Sequence, residues 1–124
     1  MSWRSWLVAG ALLAAVAVAA GAFGAHGLRG RLSPGDLATF ETAARYQVYH
    51  ALALIAVALL AERGVGGVAS AGWLFLTGIL LFSGSLYLLT LAGLRWMGAI
   101  TPFGGVAFIV GWVLLAVAGW RHSS

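Results

Sequence analysis

Between Phe40 and Leu54 the sequence reads FETAARYQVYHALAL, placing a carboxylate, a guanidinium and an imidazole (Glu41, Arg45 and His50) in a run that is otherwise largely apolar. Glu41 stands four residues ahead of Arg45, the favourable order for an ion pair along a helix. Such a pair is expected to neutralise itself where the helix enters a bilayer and so set its depth. Arg45 alone would suit an anionic ligand or a gate. His50 could serve a proton relay, a quinone contact or a ligand site. It could equally be a neutral ring satisfied across a helix interface by Ser83 or Tyr87, a packing device worth about 1 kcal/mol. Further groups able to hydrogen-bond recur at helical spacing: Ser83, Tyr87 and Thr90 at i, i+4 and i+7, and Tyr46 four residues before His50. Ser85 lies beside them in FSGSLY, Thr101 precedes Pro102 in GAITPFGG, and His26 follows the first apolar run.

Several chemistries lack their residues. Asp36, Glu41 and Glu62 are the whole acidic complement, so no pair of convergent carboxylates can be read. His26 and His50 occur in no HxxH, ExxH or HExxH spacing, which argues against a metal or haem site. No Gly-x-Ser-x-Gly elbow surrounds Ser83 or Ser85. With no cysteine, disulfide, thiol and iron–sulfur chemistry are excluded. The pI near 10.8 comes from seven arginines scattered singly, not from a basic block able to grip a nucleic acid. The expectation is a protein without enzymatic activity, cofactor or metal.

The elements that must position these groups are membrane helices. The 124 residues are 62% hydrophobic and 8% charged, with a mean hydropathy of +0.99, where soluble domains carry roughly a quarter charged residues. Apolar stretches predict spans at about 6–25, 42–61, 70–91 and 98–120, each near the ~20 residues a helix needs to cross. The connections are short, which predicts an all-α, up-down four-helix bundle forming a single domain. Ser33, Pro34 and Asp36 make a helix start. A helix from Pro34 to Ala61 would measure about 42 Å against a ~30 Å hydrocarbon core, so a short interfacial helix is expected ahead of the second span. Trp3, Trp6, Trp73, Trp96 and Trp120 fall at span ends, as headgroup-level anchors do.

Gly10, Ala14, Ala17, Gly21 and Gly24 form a small-residue stripe, with a weaker one at Gly104, Ala107 and Gly111. Such stripes let helix backbones approach closely, and an excess of them suggests self-association or a membrane-protein partner. A signal peptide is the alternative reading of the first run, but the run continues past its AVA triplet to Ala25. Four spans put both ends on one side of a bacterial inner membrane. The arginine count is almost balanced between the faces, leaning toward a cytoplasmic first loop.

Counting back from Glu62 at 1.5 Å per residue puts His50 about 18 Å deep, near the bilayer centre, and Arg45 about 26 Å, near the far interface. Counting forward from Ser70, where the third helix starts on the same face, places Ser83 at about 20 Å and Tyr87 at about 26 Å. The polar groups therefore gather toward the first-loop face, with His50 deepest.

Four segments in order, GAFGAHGL, FETAARYQVYHALAL, LFSGSLYLLTLAG and GAITPFGGVAFIVGW, resemble domain-of-unknown-function family 423. That family includes small inner-membrane proteins of the YgdD type and, in animals, transmembrane protein 256. The resemblance implies a four-span membrane protein and no known activity. It assigns no role to His26, Tyr46, Gln47, His50, Ser83, Ser85, Tyr87, Thr101, Pro102 or Gly104, which lie within the matching motifs. Two functions fit these residues, a self-associating or accessory membrane subunit, and a small-ligand or proton/ion transport-related site around His50 opening to the first-loop face; a third, a membrane-embedded enzyme, would require His50 within hydrogen-bond reach of Ser83 or Ser85 and facing a solvent-connected cavity.

Overall fold

In the computed structural model, which describes residues 1–123, four helical segments are long and apolar enough to cross a membrane. They are α1 (Trp3–Leu28), α2 (Pro34–Glu62), α3 (Val68–Leu91) and α4 (Thr101–Arg121), the last preceded by a 3-10 turn at Arg95–Ala99. The chain is an all-α four-helix bundle.

Local chemistry explains the ends. The Ser33 hydroxyl accepts the Asp36 N–H at 3.1 Å, and Pro34 occupies a first-turn position that has no use for an N–H. The expected interfacial helix is therefore the beginning of one unbroken 29-residue helix. At about 43 Å it overruns the ~30 Å hydrocarbon, and its first turns lie outside. α2 stops at Gly64, whose φ of +80° reverses the chain while Val65 N–H donates to the Leu60 carbonyl at 3.0 Å. α3 ends similarly at Gly93, φ +69°.

Two π-helical turns interrupt the α geometry, Ala19–Gly24 in α1 and Ile79–Ser83 in α3. The widened turn in α3 falls where Phe82 passes α4 at Gly104, whose missing side chain leaves room for the Phe82 backbone.

α2 and α3 form the centre and α1 and α4 the flanks. Half of the apolar window of α2 and 39% of that of α3 are buried, against 11% for α1 and 22% for α4. α1 packs chiefly on α2, and α4 on α3. An apolar core of Trp6, Leu54, Val57, Phe75, Ile79 and Phe108 closes the half nearer the α2–α3 connection. Trp6 departs from its expected role as an anchor: it is 1% exposed, fits against Gly72, and meets Trp73 edge-on at 5.2 Å. The notch at Gly72 accepts the whole indole, so burial outweighs an interfacial position. Trp96 and Trp120 stay exposed.

The small-residue stripes face neighbours within the chain. A Cβ on Gly10 would lie 2.8 Å from the Ala51 carbonyl oxygen, one on Gly24 3.0 Å from the Phe40 ring, and one on Gly111 2.8 Å from the Phe75 ring. Ala17 and Ala107 are buried and Ala14 is half-buried. The surplus small faces expected to await a second copy are therefore mostly occupied, because α2 and α3 present matching surfaces to them. Gly21 is the exception: it is exposed, and its nearest neighbour, Ala44 Cβ, would stand at an ordinary 3.8 Å.

Candidate functional site

Buried polar side chains gather toward the first-loop half of the bundle, and among them Gln47 reaches the most helices. It is 2% exposed; its Nε2 donates to the Leu13 carbonyl of α1 at 2.9 Å, and its Oε1 accepts the Tyr87 hydroxyl of α3 at 2.7 Å. One amide thus joins three helices. Phe40 packs on the Tyr87 ring at 5.3 Å. One turn before Gln47, the Ala43 carbonyl accepts the hydroxyl of the fully buried Ser83 at 2.7 Å. Ser85 points to the other neighbour, where its hydroxyl is hydrogen-bonded to that of Thr101 at the start of α4. Thr90 turns back on its own helix and donates to the Leu86 carbonyl.

His50 uses a different face of α2. Its Nδ1 lies 2.7 Å from the Tyr46 carbonyl oxygen, which can only accept, so Nδ1 carries the proton. Its Nε2 accepts the indole N–H of Trp112 on α4 at 3.1 Å. The ring stacks on Phe108, centroids 3.5 Å apart and planes 7° apart. Both nitrogens are engaged in the neutral form.

This corrects the expectation that Ser83 or Tyr87 satisfies His50. Residues 43 and 47 share one face of α2 and residues 46 and 50 the adjoining face. The α3 hydroxyls meet the first face, while the second meets aromatic side chains of α4. Neither Ser83 nor Ser85 hydrogen-bonds the imidazole, so the serine–histidine geometry an acyl-transfer enzyme would use is not assembled. Beside His50 lies a cavity of about 350 Å³ lined by Tyr46, His50, Phe82, Phe108, Ile109 and Trp112. No residue of the first loop lines it; it sits on the flank between α2 and α4, not at the first-loop end.

The charged groups are also rearranged. Glu41 and Arg45 are both exposed and make no ion pair with each other, contrary to their spacing. The ion pair present among the described residues joins Asp36 to Arg95, with two hydrogen bonds of 2.8 and 2.7 Å. This bidentate contact fastens the first turn of α2, outside the membrane, to the connection before α4. The hydrogen bonds from Arg95 hold the Asp36 carboxyl below the usual carboxylate range. His26 is exposed at the end of α1, apart from the cluster. Among the described residues no three His, Asp or Glu side chains come together in a metal-binding arrangement.

Gln47 and Trp112 are the hydrogen-bonding side chains of the site that sequence reasoning did not select as site residues. Each carried a signal: an amide within an apolar span, and a tryptophan well inside a span where the others stand near ends.

The stretch holding most of this cluster also carries the family likeness. A family model described as "Protein of unknown function (DUF423)" matches residues 20–105. The chain belongs to this family. Curated relatives extend the likeness of this DUF423 member to almost its full length. The UPF0382 membrane protein YwdK of Bacillus subtilis is 48% identical over 96% of this chain and 98% of its own. UPF0382 membrane proteins of Staphylococcus aureus (47% identical, covering 97% of this chain and 98% of the relative) and Staphylococcus epidermidis (50%, covering 93% and 94%) are comparable. No solved structure matches. With four spanning helices and relatives named as membrane proteins, this DUF423 protein is a multi-pass protein of the cell membrane. The family description carries no biochemical activity.

Proposed function

We propose that the protein is a non-catalytic accessory subunit of the membrane, a rigid four-helix unit that works through contacts of its outer helices with another membrane protein or a second copy of itself. One observation carries this reading: among the described residues, every buried side-chain nitrogen and oxygen has a hydrogen-bond partner. Gln47, Ser83, Ser85, Tyr87 and Thr101 are committed to joining helices, and a polar group so committed fixes register in lipid. The exposed flanks then supply the working surface, with Leu12 and Val16 on α1 and Val113 and Val117 on α4.

A photo-crosslinking residue at Leu12 or Val113, activated in native membranes, is expected to give a discrete adduct at one of the two positions. Adduct-free protein at both, together with a strictly monomeric species in detergent, would remove the basis of this reading.

The cavity beside His50 favours a second reading, a small-ligand or proton-linked transport site. His50→Phe retains a ring to stack on Phe108 and loses both ring nitrogens, so it should abolish pH-dependent flux in proteoliposomes while the protein remains folded, with a melting temperature lowered only by the lost bonds to Tyr46 and Trp112. Flux unchanged by that substitution would rule out His50 as the working group.

A further inference from the structure

A second cleft opens between α1 and α2, separate from the His50 groove. It has a volume of about 370 Å³; Ala17, Gly21 and Ala22 line it from α1, and Val48, Arg45 and Glu41 from α2. Helix packing accounts for the tight glycines at positions 10 and 24 but not for Gly21, whose added Cβ would meet only Ala44 Cβ, at 3.8 Å. The missing side chain at 21 keeps the cleft open instead of drawing the helices together.

The charges at its mouth are free. Arg45 and Glu41 stand one helical turn apart on α2, the spacing at which such groups pair readily, yet no ion pair forms between them. Along α2 the order from the bilayer interior outward is Val48, Arg45, Glu41: an apolar wall of the cleft, then a cation near the interface, then an anion about 6 Å further out. A phospholipid with an amine headgroup carries the complementary series of acyl chain, phosphate and ammonium. Guanidinium groups suit phosphate oxygens because their fork of N–H donors matches them in charge and geometry, and a carboxylate accepts N–H bonds from a primary ammonium.

We propose that this cleft is a binding site for an amine-headed phospholipid of the phosphatidylethanolamine class, its phosphate on Arg45, its ammonium on Glu41 and one acyl chain lying over Gly21 between α1 and α2. The trimethylammonium of phosphatidylcholine offers Glu41 no N–H. The glycerol headgroup of phosphatidylglycerol brings no cation to it. The site therefore discriminates among the three.

The test uses the full chain in detergent, delipidated and then titrated with phosphatidylethanolamine, phosphatidylglycerol or phosphatidylcholine, with retention read by native mass spectrometry and by the thermal shift. Phosphatidylethanolamine is expected to bind about tenfold more tightly than the other two, and Arg45→Gln to weaken it by about tenfold. Glu41→Gln should erase the preference over phosphatidylglycerol without abolishing binding. Gly21→Leu should block the cleft while the lipid-free melting temperature stays near wild type, and Ala22→Leu provides a second means of filling it. Equal binding of all three lipids, or wild-type phosphatidylethanolamine binding in Arg45→Gln, would overturn the site. Preferred binding of phosphatidylglycerol, strengthened in Glu41→Gln, would overturn the amine assignment.

Discussion

Gln47 shows how a single side chain can set the level of three helices. Its amide offers both donors and an acceptor, and α1 and α3 each take one end. Interhelical hydrogen bonds within membranes contribute on the order of 1 kcal/mol. Gln47→Leu should therefore lower the unfolding free energy in detergent by about 1–2 kcal/mol, since it also leaves the Tyr87 hydroxyl without its acceptor. A cycle with Tyr87→Phe should return a coupling of about 0.5–1.5 kcal/mol, and a coupling of zero would deny the bond. His50 permits a spectroscopic check that does not depend on stability. Imidazole ¹⁵N shifts, assigned with the His50→Phe variant, should show Nδ1 protonated and Nε2 bare, because a carbonyl can only accept and the Trp112 indole can only donate. A ring protonated on Nε2 alone would contradict the contact with Trp112. That His50, Ser83 and Tyr87 are polar groups inside spans was legible from the residues. Their partners were not, because the helical period says which residues share a face but not which neighbour that face meets.

Between elements, the distances of closest approach are set by glycines and one ion pair. The Ala51 carbonyl and the Ile55 side chain leave no room for a Cβ at Gly10. Gly10→Val should push α1 away from α2 and cost about 1–3 kcal/mol, the range for overpacking. Gly27→Ala, where nothing lies within 4 Å, should change unfolding by less than about 0.5 kcal/mol. Thermal or denaturant unfolding of the two variants distinguishes a packing glycine from a neutral one. The Asp36–Arg95 pair predicts a pH response of definite sign. The folded-state pKa of Asp36 is depressed from 3.8, so its contribution is present above that value and disappears as the pH falls through the lower, folded-state value. Asp36→Asn should melt below wild type at neutral pH, with the gap closing on acidification below 3.8 and narrowing in high salt. A gap independent of pH would remove the pair from the account. The start of α2 was readable from Ser33, Pro34 and Asp36 because capping is local. The replacement of the expected Glu41–Arg45 pair by Asp36–Arg95 was not, because the latter joins residues 59 positions apart.

The whole molecule is asymmetric along the bilayer normal, with an interlocked apolar core toward the α2–α3 connection and a hydrogen-bonded half toward the first loop. Cysteines introduced at Arg31 and Arg95 should label from one side of sealed vesicles and a cysteine at Arg63 from the other; labelling of all three from the same side would refute the four-span arrangement. The sequence by itself determined that this is a multi-pass membrane protein, about where its helices run, and that its polar residues gather near one face. Those properties are local: each helix satisfies its own backbone, so hydropathy, caps and length suffice to place it. The tertiary structure alone decided that Trp6 is core, that the glycine stripes mostly close on their own chain, that His50 answers to Trp112, and that Gln47 ties three helices together. Those outcomes depend on helix rotation and crossing, which are settled by the fit of whole surfaces, and the π-helical turn at Ile79–Ser83 in α3 is enough to redirect the side chains beyond it.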